Sequence, residues 1–90
     1  MEIKSNILVV DDEQDLCEIL KFNLETEGYN VDMANSAEEA LDMGIEKYDL
    51  LLLDVMMGGM SGFALAKRLK ENPLSAHIPI LFLTAKDTEN

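Results

Sequence analysis

The sequence predicts an α/β fold, a doubly wound parallel sheet formed by one domain spanning residues 1–90. Three observations carry this. The runs Ile7-Leu8-Val9-Val10 and Leu50-Leu51-Leu52-Leu53 are apolar throughout, as strands covered on both faces require. Segments with apolar residues at helical spacing separate the strand signals. The connections are short, so the order β-α-β-α-β-α-β reads as parallel strands joined by right-handed crossovers.

The first strand is Asn6 to Val10 and stops at Asp11-Asp12. From Glu13 to Glu27, Leu16, Ile19, Leu20 and Leu24 recur with helical period, and Gly28 supplies a C-terminal stop. Tyr29, Val31 and Met33 alternate with Asn30 and Asp32, the pattern of a half-covered or edge strand. Ser36 and Glu39 form a capping box that starts a second helix, with Ala37, Ala40, Leu41 and Ile45 as its apolar stripe. Asp49 opens the leucine strand, which ends on Asp54; Val55 then leads into a glycine-rich loop from Met56 to Gly62. Phe63 to Glu71 is a third helix with Phe63, Ala66 and Leu69 inward, closed by Asn72-Pro73. Pro79 precedes a last apolar strand, Ile80 to Leu83, ending on Thr84. No internal repeat, low-complexity tract or linker divides the chain.

Eighteen acidic against seven basic residues give a formal net charge of −11. Phosphate backbones repel such a chain, so direct nucleic-acid binding by this segment is excluded as a leading function. Most of the acids are accounted for as a solvated surface. No apolar run approaches the ~20 residues of a membrane span. The N-terminus has no basic stretch followed by an apolar core, and Cys17 is a lone cysteine. A cytoplasmic location is the expectation.

Chemistry-bearing residues stand at three strand ends: Asp11 and Asp12, then Asp54, then Thr84. In open parallel sheets, sites form outside the carboxyl ends of the strands, so these groups can converge. Asp11 or Asp12 could cap the first helix, but a cap needs one side chain and this turn supplies Asp11, Asp12 and Glu13. Asp54 precedes a loop, where capping gives it no role. Thr84 alone is an ordinary β-branched strand residue. Crowded carboxylates repel one another unless a cation neutralises them, and oxygen-only ligands open to solvent suit Mg²⁺. A carboxylate is a competent phosphoryl acceptor, and a threonine hydroxyl can donate to a phosphoryl oxygen.

Other residues carry less. His77 lies in a Pro-bounded connection and reads as a solvent-exposed loop residue. Met56, Met57 and Met60 have no Cys or His nearby to make a soft-metal site. Cys17 reads as a small packing residue. Asp11 to Asp15 lacks the glycine and terminal glutamate of a calcium loop.

Taken together, Ile7 to Glu13, Asp49 to Met57, the Gly59-Met60-Ser61-Gly62-Phe63 turn and Ile80 to Ala85 resemble the receiver domains of bacterial response regulators. The resemblance implies a flavodoxin-like sheet in the order 2-1-3-4, and a phosphoacceptor module serving a histidine kinase or phosphotransfer protein. It implies Asp54 as phosphoacceptor and Thr84 as switch hydroxyl. Asp12 and Asp54, the backbone carbonyl of Met56, and Asp11 through bound water would hold Mg²⁺. Ala85 would be the small residue that leaves room for the phosphoryl group. An output domain, commonly a transcriptional one, would lie beyond this segment in the parent chain.

Two departures from the family pattern stand out. Gly58 occupies the usual proline position and adds backbone freedom. The sequence also reaches Asn90 without the fifth strand and its lysine; Lys86 is too close to Thr84 to take that place. The first helix should therefore leave one face of the third and fourth strands bare, with Ile80 to Leu83 as an apolar edge. These ninety residues alone are expected not to form a stable monomer, so that further chain, or a second copy in a homodimer or swapped dimer, would cover them. Two alternatives compete with a phosphorylated receiver. A receiver-like interaction domain would never be phosphorylated. An aspartate-nucleophile phosphatase would need a second Asp two residues after the nucleophile, where this chain has Met56.

Overall fold

The computed structural model describes residues 4–83. Four parallel strands, β1 (Asn6–Val10), β2 (Asn30–Ala34), β3 (Leu50–Asp54) and β4 (Ile80–Leu83), form a sheet in the order β2-β1-β3-β4. Three helices connect them: α1 (Gln14–Thr26), α2 (Ala37–Asp42) and α3 (Gly62–Lys70). The expected fold class and strand order are both present. Thr84, Ala85 and Lys86 lie outside the described residues.

Two apolar clusters sandwich the sheet. On one face Leu8, Val10, Leu51 and Leu53 pack with Ala37 and Ala40 of α2 and with Leu65 and Leu69 of α3. On the other, Ile7, Val9, Val31 and Leu52 pack with Cys17, Leu20 and Leu24 of α1. Alternate residues of β1 and β3 thus serve opposite cores, which is why their sequences are apolar at every position.

Each helix differs in detail from the sequence expectation. Along α1 the buried stripe is Cys17, Leu20 and Leu24, while Ile19 is 58% exposed. In α2 the capping box forms with a shift. Ser36 Oγ accepts from the Glu39 N–H at 2.9 Å, but Glu39 reaches back to the N–H of Asn35 rather than of Ser36. The helix ends at Asp42, and Gly44, at φ +79°, turns the chain into a short 3-10 segment, Ile45–Lys47. Ile45 is still buried, by a turn rather than by a continuous helix. The segment's C-terminal neighbour Tyr48 is buried, and its hydroxyl donates to Asp32 Oδ2 of β2 at 2.6 Å.

The third helix corrects the expected stripe. Its inward residues are Gly62, Leu65 and Leu69, with Ala66 partly buried, whereas Phe63 is 59% exposed and meets Phe82 edge to face at 4.8 Å. Ser61 caps it through the Ala64 N–H at 3.1 Å. Gly62 is the tightest contact: a Cβ there would stand 2.0 Å from the carbonyl oxygen of Asp54. A glycine hides the start of an inward stripe, so the bulky Phe63 beside it draws the assignment out of phase.

On the α1 side, the bare region is smaller than expected. Leu52 of β3 is 8% exposed, covered within the α1 cluster, while Leu81 of the edge strand β4 is 57% exposed. Replacing Leu51, fully buried at the centre of the larger cluster, should leave a cavity that the two flanking helices cannot close. We expect Leu51→Ala to lower stability by about 3 kcal/mol, measured by urea unfolding against the unaltered protein.

Candidate functional site

Parallel register decides which side chains meet. Val10 pairs with Leu53 across β1 and β3, so the residues that follow, Asp11 and Asp54, emerge at the same end of the sheet. One carboxylate oxygen each from Asp11, Asp12 and Asp54 lies within 4.8 Å of the others. The structure therefore brings together all three carboxylates singled out by the sequence. Asp11 is 2% exposed and Asp54 8%, while Asp12 is exposed. The cluster is thus a pocket with two buried walls and one open side.

Hydrogen bonds fix its walls. The N–H of Asp11 donates to the Ala34 carbonyl at 3.1 Å, continuing the β1–β2 ladder past the strand. Asp11 Oδ1 accepts from the Glu13 N–H at 2.9 Å, so it does help the chain into α1 while facing the pocket. The Asp11 carbonyl accepts from Asn35 Nδ2 at 3.1 Å and from the Cys17 thiol at 3.3 Å. Asp54 Oδ1 accepts from the Met56 N–H at 3.3 Å, which brings the Met56 backbone to the rim. The N–H of Gly58 points at Asp12 Oδ2 at 3.4 Å, a contact that proline could not make. The Met56 side chain is 74% exposed.

Among the described residues, no ion pair compensates the cluster. Burial raises the Asp11 carboxyl above its ordinary value; the hydrogen bond from Glu13 opposes this, and the charges of Asp54 and Asp12 add to it. The ion pairs among these residues are Lys21–Glu25 and Lys67–Glu71, both away from the cluster. Burial, followed by the Asp11 charge, pushes the Cys17 thiol up to about 11, so it keeps its proton and remains a donor to the Asp11 carbonyl. His77 is exposed in the turn before β4, as expected.

Two contributors escape sequence reasoning. Gly62 lets the first turn of α3 press against the Asp54 carbonyl, and its N–H donates to the Val55 carbonyl at 3.0 Å. Asn35 crosses from the end of β2 to the Asp11 carbonyl. The turn motif around Gly62 was visible, but only the close approach gives its reason; nothing in the sequence marks Asn35.

A raised carboxyl has a definite consequence for stability. The fold favours protonated Asp11, so this contribution is fully present below the unfolded value, near 3.8, and is lost as pH rises through the folded one. At neutral pH, without divalent cations, Asp11→Asn should therefore be more stable than the unaltered protein. An asparagine oxygen can still accept from Glu13. The advantage should shrink as pH falls into the carboxylate range, which urea unfolding between pH 3.5 and 7.5 will show.

Comparison with known proteins identifies the family. The family described as the response regulator receiver domain matches residues 7–90. The alkaline phosphatase synthesis transcriptional regulatory protein PhoP of Bacillus subtilis is 46% identical over 88 residues, covering 97% of this chain and 36% of that protein. The phosphate regulon transcriptional regulatory protein PhoB of Rhizobium meliloti is 42% identical, covering 93% of this chain and 37% of its own length. The chain thus spans little more than a third of these relatives. Among solved structures, chemotaxis protein CheY4 of Vibrio cholerae superposes with a TM-score of 0.87 at 29% identity, covering 94% of this chain and 72% of that one. Response regulator TrrA of Thermotoga maritima, in complex with Mg²⁺-BeF, superposes with a TM-score of 0.83 at 40% identity, covering 92% and 71%. With the family matching residues 7–90, relatives above 40% identical and a parallel sheet in the same fold as the solved receivers, the chain belongs to the receiver domain family of response regulators, the regulators of two-component signalling.

Proposed function

We propose that Asp54 accepts a phosphoryl group from a phosphohistidine of a partner histidine kinase or phosphotransfer protein, and that this charge switches an output. The observation that carries the reading is the convergence of Asp11, Asp12 and Asp54 within 4.8 Å at one end of the sheet. A lone buried carboxylate would be a structural oddity. Three together, open on the Asp12 side, form an acceptor inside a cation site.

The donor set fits Mg²⁺. It is oxygen-only, it carries excess negative charge, and its exposed member leaves room for retained water. Asp12, Asp54 and the backbone carbonyl of Met56 would hold the ion, with Asp11 acting through bound water. The Mg²⁺-BeF complex of the Thermotoga relative supports that choice of ion. When bound, Mg²⁺ would neutralise the carboxylates and stabilise charge on the transferring phosphoryl oxygens.

The chain's own groups have separate tasks. An Asp54 carboxylate oxygen attacks phosphorus, forming a P–O bond as the donor's P–N bond breaks, and the imidazole leaves with that electron pair. The Met56 N–H on Asp54 Oδ1 orients the carboxylate, and the Asp54 carbonyl seated against Gly62 fixes its backbone. Thr84, which follows β4, would donate its hydroxyl to a phosphoryl oxygen and carry the switch. The regulator names of the relatives support an output in transcription; that output would be delivered by other parts of the protein, in the cytoplasm. Among the described residues, no helix is long and apolar enough to cross a membrane.

Incubation of the full-length protein with a small phosphodonor and Mg²⁺, followed by intact-mass measurement, tests the assignment. One phosphoryl group should appear on the unaltered protein and none on Asp54→Ala, and chelation of the metal should suppress the gain. Equal incorporation in both proteins would rule Asp54 out.

A further inference from the structure

We infer that Asn35 is a positioning residue for the metal pocket: it clamps the peptide between Asp11 and Asp12 and so sets how well that turn holds a cation. The inference rests on the Mg²⁺ reading above. Asp11 and Asp12 follow the last residue of β1, and a turn carrying three successive acids is pushed apart by its own charge. The end of β2 opposes this from two sides. Ala34 accepts the Asp11 N–H at 3.1 Å, and the next residue, Asn35, donates through Nδ2 to the Asp11 carbonyl at 3.1 Å. That carbonyl belongs to the same planar peptide as the Asp12 nitrogen. Holding the carbonyl therefore fixes the direction in which the exposed ligand, Asp12, leaves the chain.

Asn35 is itself held. Its backbone N–H donates to Glu39 Oε1 at 2.7 Å, which ties the residue to the first turn of α2. Its Nδ2 also lies 3.8 Å from Cys17 Sγ, and the Cys17 thiol is the second donor to the same Asp11 carbonyl, at 3.3 Å. A half-buried loop side chain with a fixed backbone and a fixed amide is preorganised. The bond needs a neutral donor at this point. Alanine removes it, and aspartate keeps the size but presents only acceptors to a carbonyl oxygen. Outer partners of metal ligands typically change metal affinity by about 10–100-fold when removed.

The test uses the full chain and Mg²⁺ alone. The control is Tyr48→Phe, which removes the hydrogen bond to Asp32, a contact apart from the pocket. Affinity is read by calorimetric titration and stability by urea unfolding. We expect Asn35→Ala to weaken Mg²⁺ binding about tenfold, while Tyr48→Phe binds as the unaltered protein does, whatever stability it loses. In metal-free protein the carbonyl ¹³C resonance of Asp11 should move upfield in both Asn35→Ala and Asn35→Asp, reporting the lost hydrogen bond without any ion. Unchanged Mg²⁺ affinity in Asn35→Ala, with wild-type binding intact, would overturn the clamp alone. An unmoved Asp11 carbonyl resonance in both Asn35 variants would also overturn it. Failure of the unaltered protein to bind Mg²⁺ would instead overturn the metal reading and the clamp with it.

Discussion

The parallel pairing of β1 with β3 is the constraint on which the rest depends. Because Ile7 pairs with Leu50 and Val10 with Leu53, the two strands run out at the same level and deliver Asp11 and Asp54 side by side. A shift of one residue would turn every side chain of a strand to the opposite face. Here that would exchange Leu51 and Leu53 for Leu52 between two different helical clusters. Register is therefore defended by both cores at once, and the position of the carboxylates is a consequence of packing. The site inherits its accuracy from leucines whose side chains serve the two cores.

That accuracy carries an electrostatic cost. Burial and neighbouring charges raise the Asp11 carboxyl, and the fold answers with hydrogen bonds rather than with a lysine or arginine in ion-pair contact among the described residues. Backbone donors from Glu13 and Met56 satisfy carboxylate oxygens, and Asn35 and Cys17 satisfy the Asp11 carbonyl. Dipoles of this kind hold the groups in place without cancelling their charge. Charge that is left without an ion-pair partner among the described residues attracts a cation, and a local electrostatic conflict of this sort is a usual mark of a functional site.

Much of this was legible in the sequence, for reasons that differ by element. Runs such as Leu50 to Leu53 announce doubly covered strands, and a strand that ends in aspartate places a carboxylate at the sheet's carboxyl end. Helix phase was harder. Cys17 carries less apolar bulk than Ile19 and Gly62 none at all, yet Cys17 and Gly62 face the sheet while Ile19 and Phe63 face outward. Small residues mark the closest approaches, and a pattern weighted by bulk overlooks them. Asn35 was invisible because its role is a single hydrogen bond to a distant carbonyl, which no periodicity encodes.

The central claim is that these three carboxylates, held together by packing against their mutual repulsion, form a divalent-cation site. Urea unfolding of the full-length protein at pH 7, with and without Mg²⁺ at matched ionic strength, tests it most directly. Binding to the folded state alone should stabilise the unaltered protein by about 2.7 kcal/mol at a hundredfold excess over the dissociation constant. Asp12→Ala, which removes the exposed ligand and leaves both cores intact, should lose most of that gain. An equal gain in the two proteins, or none in the unaltered one, would contradict the account.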